Sequence, residues 1–451
     1  MKTKVAINGF GRIGRNAFKI AFQRSDLEIV AVNDLTDTKT LAHLLKHDSN
    51  YGTYQNEVSF DDENIIVSGQ KIRVLAEKDP AALPWKDLGV DVVIESTGFF
   101  VDPAKAKAHI EAGAKKVVLS APAKGEGAST VVIGVNEDML PHSEGVISNA
   151  SCTTNCITPV MAILENEFGI EKAMMTTVHS YTASQKLQDA PAKDLREARN
   201  AAMNIVPTTT GASIAAAKAL PALDGIFGGM SVRVPTPVVS LSDFAVVTKR
   251  DVTVEEVNAA FKKAAADAYY QGILAVTEEE LVSSDFIGNS HSAIVDLNLT
   301  AVVGGNLLKV VAWYDNEWGY SNRLVEVVAD VGKVLNDGAS EGDSSEQKSD
   351  DEVSKPETPE ATGDISENTD EHQAPEDLLK EPEDPLLEAP DGAAEPDPSS
   401  HESLEHPAPE PPKPEETPYV ISMPGSTPAG TEDDKPADEP SKSAPEVEHH
   451  F

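Results

Sequence analysis

The stretch Gly9-Phe10-Gly11-Arg12-Ile13-Gly14 constrains this chain most, because it joins a strand-like run over residues 5–8 to a helical pattern over 13–24. A strand that enters a helix through three spaced glycines is the opening of a βαβ unit. The first glycine allows the tight turn, the second lets a pyrophosphate approach the backbone, and the third lets helix and strand touch. The helix start then offers unpaired N–H groups and the positive end of a dipole to phosphate. Glycine-rich turns are common, so the motif is weak by itself. Asp34 strengthens it, closing a second strand (28–33) 20 residues after Gly14, where a carboxylate binds ribose hydroxyls. That carboxylate would repel a 2′-phosphate, and no arginine follows it in Leu35-Thr36-Asp37-Thr38. The expected cofactor is NAD rather than NADP.

Residues 90–96, 116–121 and 130–135 read as further strands, nearly all apolar, as when both faces of a parallel sheet are covered. Residues 38–46 and 103–112 read as helices between them. This is the rhythm of a Rossmann-type, doubly wound α/β sheet. After residue 150 the texture changes. A helix is expected over 153–168, then longer strands at 173–180, 230–234, 238–248, 293–299 and 307–314. These are less uniformly apolar, which suits a sheet covered by helices on one face and hence an α+β catalytic domain. Leu324, Val327, Val328, Val331 and Leu335 recur at helical intervals over 321–336. The expected organisation is an NAD-binding domain over 1–150, a catalytic domain over 151–314, a C-terminal helix over 315–336 packing back on the first domain, and a tail.

The tail, 337–451, holds 34 acidic and 6 basic residues, 19 of the chain's 30 prolines, and two aromatic residues, Tyr419 and Phe451. It cannot bury enough apolar surface to offset its ordering entropy, so disorder is expected. About −28 of the net charge of −38 lies there, leaving about −10 on a body long enough for two cores. The acidic balance argues against nucleic acid as the main partner, since phosphate contacts want clustered Lys and Arg. No apolar run approaches the ~18 residues of a membrane helix. The first residues enter a strand-like run at once, leaving no room for a signal peptide. Two cysteines, Cys152 and Cys156, cannot make a disulfide framework, and a reducing, cytoplasmic compartment is the simpler reading.

Cys152 sits in Ser148-Asn149-Ala150-Ser151-Cys152-Thr153-Thr154-Asn155-Cys156, where a loop gives way to a helix. A helix start stabilises a thiolate and lowers its pKa. A lone cysteine is otherwise a small buried hydrophobe, and Cys156, one turn further in, keeps that plainer reading. A nucleophilic thiol needs a base. His179 closes a strand in Thr176-Thr177-Val178-His179-Ser180-Tyr181-Thr182, and as a residue by itself it fits a core histidine equally well.

The Cys152 and His179 stretches resemble glyceraldehyde-3-phosphate dehydrogenases, as do Arg233-Val234-Pro235-Thr236-Pro237 and the run from Trp313 to Arg323. The likeness runs in order from about Lys4 to Leu335. It implies a homotetrameric, NAD-dependent enzyme of glycolysis and gluconeogenesis that oxidises D-glyceraldehyde 3-phosphate to 1,3-bisphosphoglycerate with inorganic phosphate. Cys152 would form the thiohemiacetal and thioester, with His179 as base. The resemblance gives Gly9, Gly11, Arg12, Ile13, Gly14, Asp34, Ser120 and Asn316 to the cofactor, Asn316 on the nicotinamide carboxamide. It gives Thr182 and Arg233 to the substrate phosphate, and Ser151, Thr153, Thr210 and Gly211 to inorganic phosphate or its border. Arg196 and Arg199, in an expected basic helical turn, are either further anion ligands or solvated charges. No metal is implied. Val238 stands where the family pattern leads us to expect Asn, and Ala183-Ser184 where many bacterial members have Asn-Asp. Ala190-Pro191 resembles NAD-preferring members in its proline.

The family pattern does not include this tail. Some photosynthetic members carry a short acidic extension with two cysteines, but here the extension has none, so that redox control cannot operate. It reads either as a solvating appendage or as an arm for an unknown protein partner. Pro418-Tyr419-Val420-Ile421-Ser422-Met423-Pro424 is its most apolar island, with Leu378-Leu379 and Leu386-Leu387 weaker; His449-His450 is poor evidence for a metal. Two other functions stay open: an erythrose-4-phosphate dehydrogenase using the same cysteine and histidine, and a binding or scaffold protein built on the enzyme body.

Overall fold

In the computed structural model, residues 2–342 are described, with side chains as far as Asp337. Beyond Gly342 the tail, with the disorder expected of it, its apolar island, its leucine pairs and its histidines, lies outside the described residues. Two large sheets carry the fold. The first is built on the strand Thr3–Asn8, flanked by Leu27–Asn33 on one side and Val92–Glu95 on the other. Lys116–Leu119, Val146–Ser148 and Ser129–Thr130 extend it beyond Val92–Glu95, and all these pairs are parallel. The chain therefore winds outward in both directions from Thr3–Asn8. The strand ends at Asn8, Asn33, Glu95 and Leu119 meet at that switch point, where open α/β sheets place ligands.

Beyond Leu27–Asn33 the sheet continues through Gln70–Leu75, Asn64–Val67 and Val58–Phe60, the last two antiparallel. The sequence reading missed these short, mostly polar-flanked strands. It also extended one strand too far: the run 130–135 gives only Ser129–Thr130. Val131 and Val132 are buried, but Gly134 turns with φ +85°. The Asn136 and Glu137 side chains accept from the N–H groups of Val132, Gly134 and Val135, so the backbone bonds locally rather than to a ladder. The helix expected over 103–112 is two short ones, Pro103–Ala106 and Ala108–Glu111, divided at Lys107.

The second sheet runs Val206–Thr208, Phe227–Val234, Ile170–Ser180, Ser240–Thr248, Leu307–Tyr314, Ala293–Asp296 and Leu274–Thr277, with Ala301–Val303 beside Leu307–Tyr314. In Ser240–Thr248 burial alternates, with Phe244 and Val246 inward and Ala245 exposed, the period-two pattern of a sheet covered on one face. The cover is the helices Cys152–Phe168, Ala212–Ala219 and Val254–Ala266, whose Ile157, Val160, Met161, Ala216 and Phe261 join Phe244 and Val310 in one core. Two expected strands are shorter than read. Val239 takes φ +71°, so pairing begins at Ser240 rather than Val238. Asp296 caps a 3₁₀ turn, Leu297–Leu299, by accepting from Asn298 N at 3.2 Å, which stops the strand expected over 293–299.

The C-terminal helix is Trp318–Gly342, so residues 337–342 are helical where the sequence pattern had ended. Its Leu324, Val327, Val328 and Val331 lie in one core with Val5, Ile7, Phe18 and Ile94 of the first sheet and helix, and Leu335 is packed against it. A Cβ at Gly332 would come within 2.1 Å of Thr3 Oγ1, so glycine sets the closeness of helix and strand. Among the described residues no helix is long and apolar enough to cross a membrane.

Candidate active site

Cys152 opens the helix Cys152–Phe168, and its approach is held from several sides. Ser151 Oγ accepts from Thr154 N at 3.1 Å as the helix cap. Asn155 Nδ2 donates back to Asn149 O and Ser151 O at 2.8 and 3.0 Å. Ala150 takes φ +52°, a left-handed conformation costing roughly 1–2 kcal/mol in a non-glycine residue. The Tyr320 hydroxyl, from the C-terminal helix, donates to Ala150 O at 3.0 Å and steadies that turn.

The thiol so placed meets His179 at the end of Ile170–Ser180, with Sγ 3.5 Å from Nε2. Arg233 stands directly opposite His179 in the parallel register with Phe227–Val234. Its Nη1 lies 2.5 Å from His179 Nδ1 and donates to Ser180 O at 3.3 Å. Tyr314 meets the imidazole edge-on, ring centres 6.0 Å apart, and its hydroxyl links Thr153 Oγ1 and Thr177 Oγ1 at 3.0 and 2.8 Å.

The electrostatics differ from what a helix-start cysteine suggests. Burial pushes the Cys152 thiol pKa up, and the Arg233 charge and Thr153 pull it back only in part. Burial, then the same guanidinium, push His179 down to about 3. Both shifts run toward the uncharged forms, the thiol and the neutral imidazole. Cys156 is fully buried in the second core, and burial pushes its thiol up as well, as its plainer reading requires.

The dinucleotide loop borders a cleft of about 460 Å³ lined by Asn8, Gly9, Gly11, Asn33, Asp34 and Thr97 among others. Its glycines divide by task. A Cβ on Gly9, at φ +91°, would meet Thr97 N at 2.6 Å, and one on Gly14 would meet Gly9 O at 2.1 Å. A Cβ on Gly11 meets nothing within 4 Å, so that glycine faces open space where a ligand group fits. Gly11 caps the helix Arg12–Ala21 with no side-chain bond, leaving its first amides to a ligand. Asp34 accepts from Phe10 N at 2.9 Å and Thr36 N at 3.1 Å, which fixes its carboxylate at the cleft. Ser120 follows Lys116–Leu119, its N–H donating to Glu95 O at 2.9 Å. Ile13 is packed against the first core.

Arg12 does something the motif did not suggest. Its guanidinium donates through Nε and Nη2 to the two carboxylate oxygens of Glu317 (2.5 Å each), and Nη2 reaches Asp48 at 3.2 Å. It ties the glycine loop to the residue beside Asn316. Asn316 itself is oriented: its Oδ1 accepts from Ser180 Oγ at 2.9 Å and Ser240 Oγ at 3.1 Å. Its Nδ2 is left as a donor with no partner among the described residues.

The remaining expected anion ligands are more scattered. Thr182 Oγ1 bonds Ser184 Oγ at 3.0 Å, and the Thr153 hydroxyl is engaged by Tyr314. Thr210 Oγ1 accepts from Ala212 N at 3.2 Å where Gly211 begins the helix Ala212–Ala219, which packs Ala215 and Ala219 against Ala150. No hydrogen bond among the described residues joins Thr182, Thr210 or Gly211 to Cys152, His179 or Arg233. Arg196 lies in turns, not in the expected helix, beside Thr210 in a second cleft. Arg199 pairs with Asp189 at 2.8 Å on the exposed surface.

The profile described as the glyceraldehyde 3-phosphate dehydrogenase NAD binding domain matches residues 3–103, and that of the C-terminal domain matches 151–316. The glyceraldehyde-3-phosphate dehydrogenase of Geobacillus stearothermophilus is 55% identical over 330 residues, which are 73% of this chain and 98% of the relative. The chain belongs to the glyceraldehyde-3-phosphate dehydrogenase family. Members from Streptomyces coelicolor (54% over 337 residues) and Mycobacterium avium (54% over 342) are each spanned completely by 74% of this chain. About a quarter of the chain thus has no counterpart in these glyceraldehyde-3-phosphate dehydrogenases. Its C-terminal profile begins at Ser151, beside the nucleophile candidate, and ends at Asn316.

Several residues of this dehydrogenase site escaped the sequence reading. Tyr314, Tyr320 and Ser180 stand inside motifs already singled out, and their neighbours carried the signal. Asn155 too lies in the quoted Cys152 stretch, whereas Ser240 had none, because its role arises from strand pairing.

Proposed function

We propose that this chain oxidises D-glyceraldehyde 3-phosphate to 1,3-bisphosphoglycerate, with NAD and inorganic phosphate, through a thiohemiacetal and a thioester on Cys152. The observation that carries this is the Cys152–His179 contact of 3.5 Å at a helix start. His179 Nε2 takes the thiol proton as the sulfur attacks the aldehyde, and the resulting N–H then faces the developing oxyanion. When bound, NAD supplies the hydride acceptor.

The chain's own groups arrange the rest. The amides after Gly11 hold the pyrophosphate, with Gly9 and Gly14 keeping the turn tight. Asp34 takes the adenine-side ribose hydroxyls and favours NAD over a cofactor with a 2′-phosphate. Asn316 presents Nδ2 to the nicotinamide carboxamide, because Ser180 and Ser240 occupy its oxygen. Ile13 and Ser120 border the cofactor, and Arg12 offers it a main-chain amide while its side chain pairs with Glu317. Arg233 and Thr182 take the substrate phosphate; Ser151, Thr153, Thr210 and Gly211 receive or border inorganic phosphate, which suits hydroxyl and amide donors. An erythrose-4-phosphate reading is not favoured, since the relatives above all carry the triose name.

In this reading residues 1–150 bind the dinucleotide, 151–314 carry the chemistry and 315–336 close the first core. A homotetramer fits the exposed Leu187, Leu195, Met203 and Ile205 in the segment after Thr182, a set of apolar side chains suited to a neighbouring copy. Free thiols suit a reducing cytoplasm. The acidic tail is a separable appendage.

The deciding measurement is NADH formation at 340 nm with glyceraldehyde 3-phosphate, with and without inorganic phosphate, for the native chain and Cys152→Ser. Phosphate-dependent turnover that disappears in the variant supports the proposal. Turnover indifferent to phosphate overturns the phosphorylating reading, and turnover surviving in Cys152→Ser removes the nucleophile.

A further inference from the structure

Beneath the dinucleotide cleft lies a buried polar chain that the proposed chemistry does not use. Glu95 closes the strand Val92–Glu95 at 3% exposure, and no lysine or arginine pairs with it among the described residues. His109, fully buried, places Nε2 3.1 Å from Glu95 Oε2, the spacing of an ion pair. The far side of the ring decides otherwise. Trp85 Nε1, which can only donate, sits 2.9 Å from His109 Nδ1. Nδ1 therefore accepts, the one ring proton is on Nε2, and a neutral histidine donates to Glu95.

The other bonds point the same way. Asn33 Nδ2 donates to Asn8 Oδ1 at 2.7 Å, which turns Asn8 Nδ2 toward Glu95 Oε2 at 2.6 Å. Asn8 Nδ2 and His109 Nε2, 3.3 Å apart, thus both aim at that oxygen. Thr97 N donates to Oε1 at 2.8 Å. The Thr97 hydroxyl accepts from Phe99 N at 3.1 Å and donates to the same Oε1. Glu95 accepts four hydrogen bonds as a carboxylate, and every group facing it is a donor.

A buried carboxylate without a cation costs more than an apolar joint would, so packing alone does not account for it. What the network reaches does: Asn8, Asn33, Thr97 and exposed Phe99 all line the cleft. The same turn is tied to the glycine loop, with Ser96 Oγ donating to Gly9 O at 2.7 Å. We propose that Glu95, oriented by neutral His109, is a positioning residue for the dinucleotide, setting the cleft wall through Thr97 and its floor through Asn8. The inference rests on the reading of this cleft as the cofactor's.

The direction of the bonds supplies the test. In Glu95→Gln the amide NH₂ meets N–H groups whichever way it turns, those of His109 and Asn8 on one side and of Thr97 on the other. Two donors repel it more than one, so it turns to Thr97 and unseats the wall. Trp85→Phe removes the indole donor. His109 can then carry its proton on Nδ1 and accept from the amide at Nε2, and the amide oxygen stays with Thr97.

The dissociation constant for NAD is measured by calorimetry in the full chain, beside KM, kcat and the urea midpoint. We expect Glu95→Gln to raise that constant about tenfold, the size of one unmet buried donor. KM for NAD should rise in step, while kcat changes by about twofold at most. In a Trp85→Phe background the same substitution should raise the constant by about threefold or less. Equal rises in both backgrounds overturn the proposal, as does an unmoved constant with a lowered urea midpoint. If the buried variants do not fold, Thr97→Ala at the cleft rim decides: weaker NAD binding is expected, and native affinity overturns the role. Asp34→Ala separates the two readings. If it too leaves affinity unmoved, the cofactor reading of the cleft has failed; if it weakens binding and Glu95→Gln does not, only the positioning role has.

Discussion

Cys152 and His179 are ordinary residue types made unusual by burial. Desolvation shifts both toward their neutral forms, and the Arg233 charge divides its effect between them, stabilising a thiolate while opposing an imidazolium. The histidine has a consequence for stability. Its folded pKa of about 3 lies below the ordinary value of about 6.5, so between those values the unfolded chain binds a proton that the folded chain does not. The neutral ring's contribution is therefore intact above about pH 6.5 and is lost as pH falls toward 3. At pH 5 the loss amounts to about 2 kcal/mol. Urea unfolding at pH 7 and pH 5 should show the native chain losing more stability than His179→Asn over that interval. An equal loss in both would mean that other groups carry the acid sensitivity.

At the scale of elements, two turns do the positioning. The glycine loop lets the helix Arg12–Ala21 start against the first strand, and a methyl on Gly14 would collide with Gly9 O. Gly14→Ala should thus move the loop and weaken NAD binding by tenfold or more, about 1.4 kcal/mol, in a fluorescence titration, with the fold retained by circular dichroism. Unchanged affinity would show that the loop yields freely. The other turn, Asn149 to Ser151, presents the thiol and is tied from outside by Tyr320. Strand pairing contributes as much. The parallel register of Ile170–Ser180 with Phe227–Val234 sets His179 beside Arg233, and Ser240–Thr248, paired to Leu307–Tyr314 from Ser240↔Tyr314, brings Ser240 within 3.1 Å of Asn316.

Across the whole molecule, the site is assembled from distant chain segments held by one helix. Trp318–Gly342 fills the core of the first sheet, while the residues just before it, Asp315 to Glu317, orient the second sheet's site and clasp Arg12. These contacts are all made among residues 2–342. A chain ending at Gly342 should therefore keep its kcat within about twofold, a change of under roughly 0.5 kcal/mol in barrier. Loss of turnover in a truncated chain of native circular dichroism would give the tail a part in catalysis.

Sequence alone was enough for the glycine loop, Asp34, the apolar parallel strands, the helix opened by Cys152 and the composition break near Asn336. All of these are local, carried by glycine conformations, residue periodicity or the absence of apolar side chains. It read too much strand at 130–135 and 238–248, where side chains and a left-handed Val239 bond or bend the backbone locally. It missed the short antiparallel strands at Val58–Leu75, whose patterns are too brief to register. Tertiary structure alone decided that His179 meets Cys152 rather than resting in the core, that Arg12 binds Glu317, and that burial raises the thiol pKa. Those outcomes depend on strand register and on desolvation, both set by residues far apart in the chain.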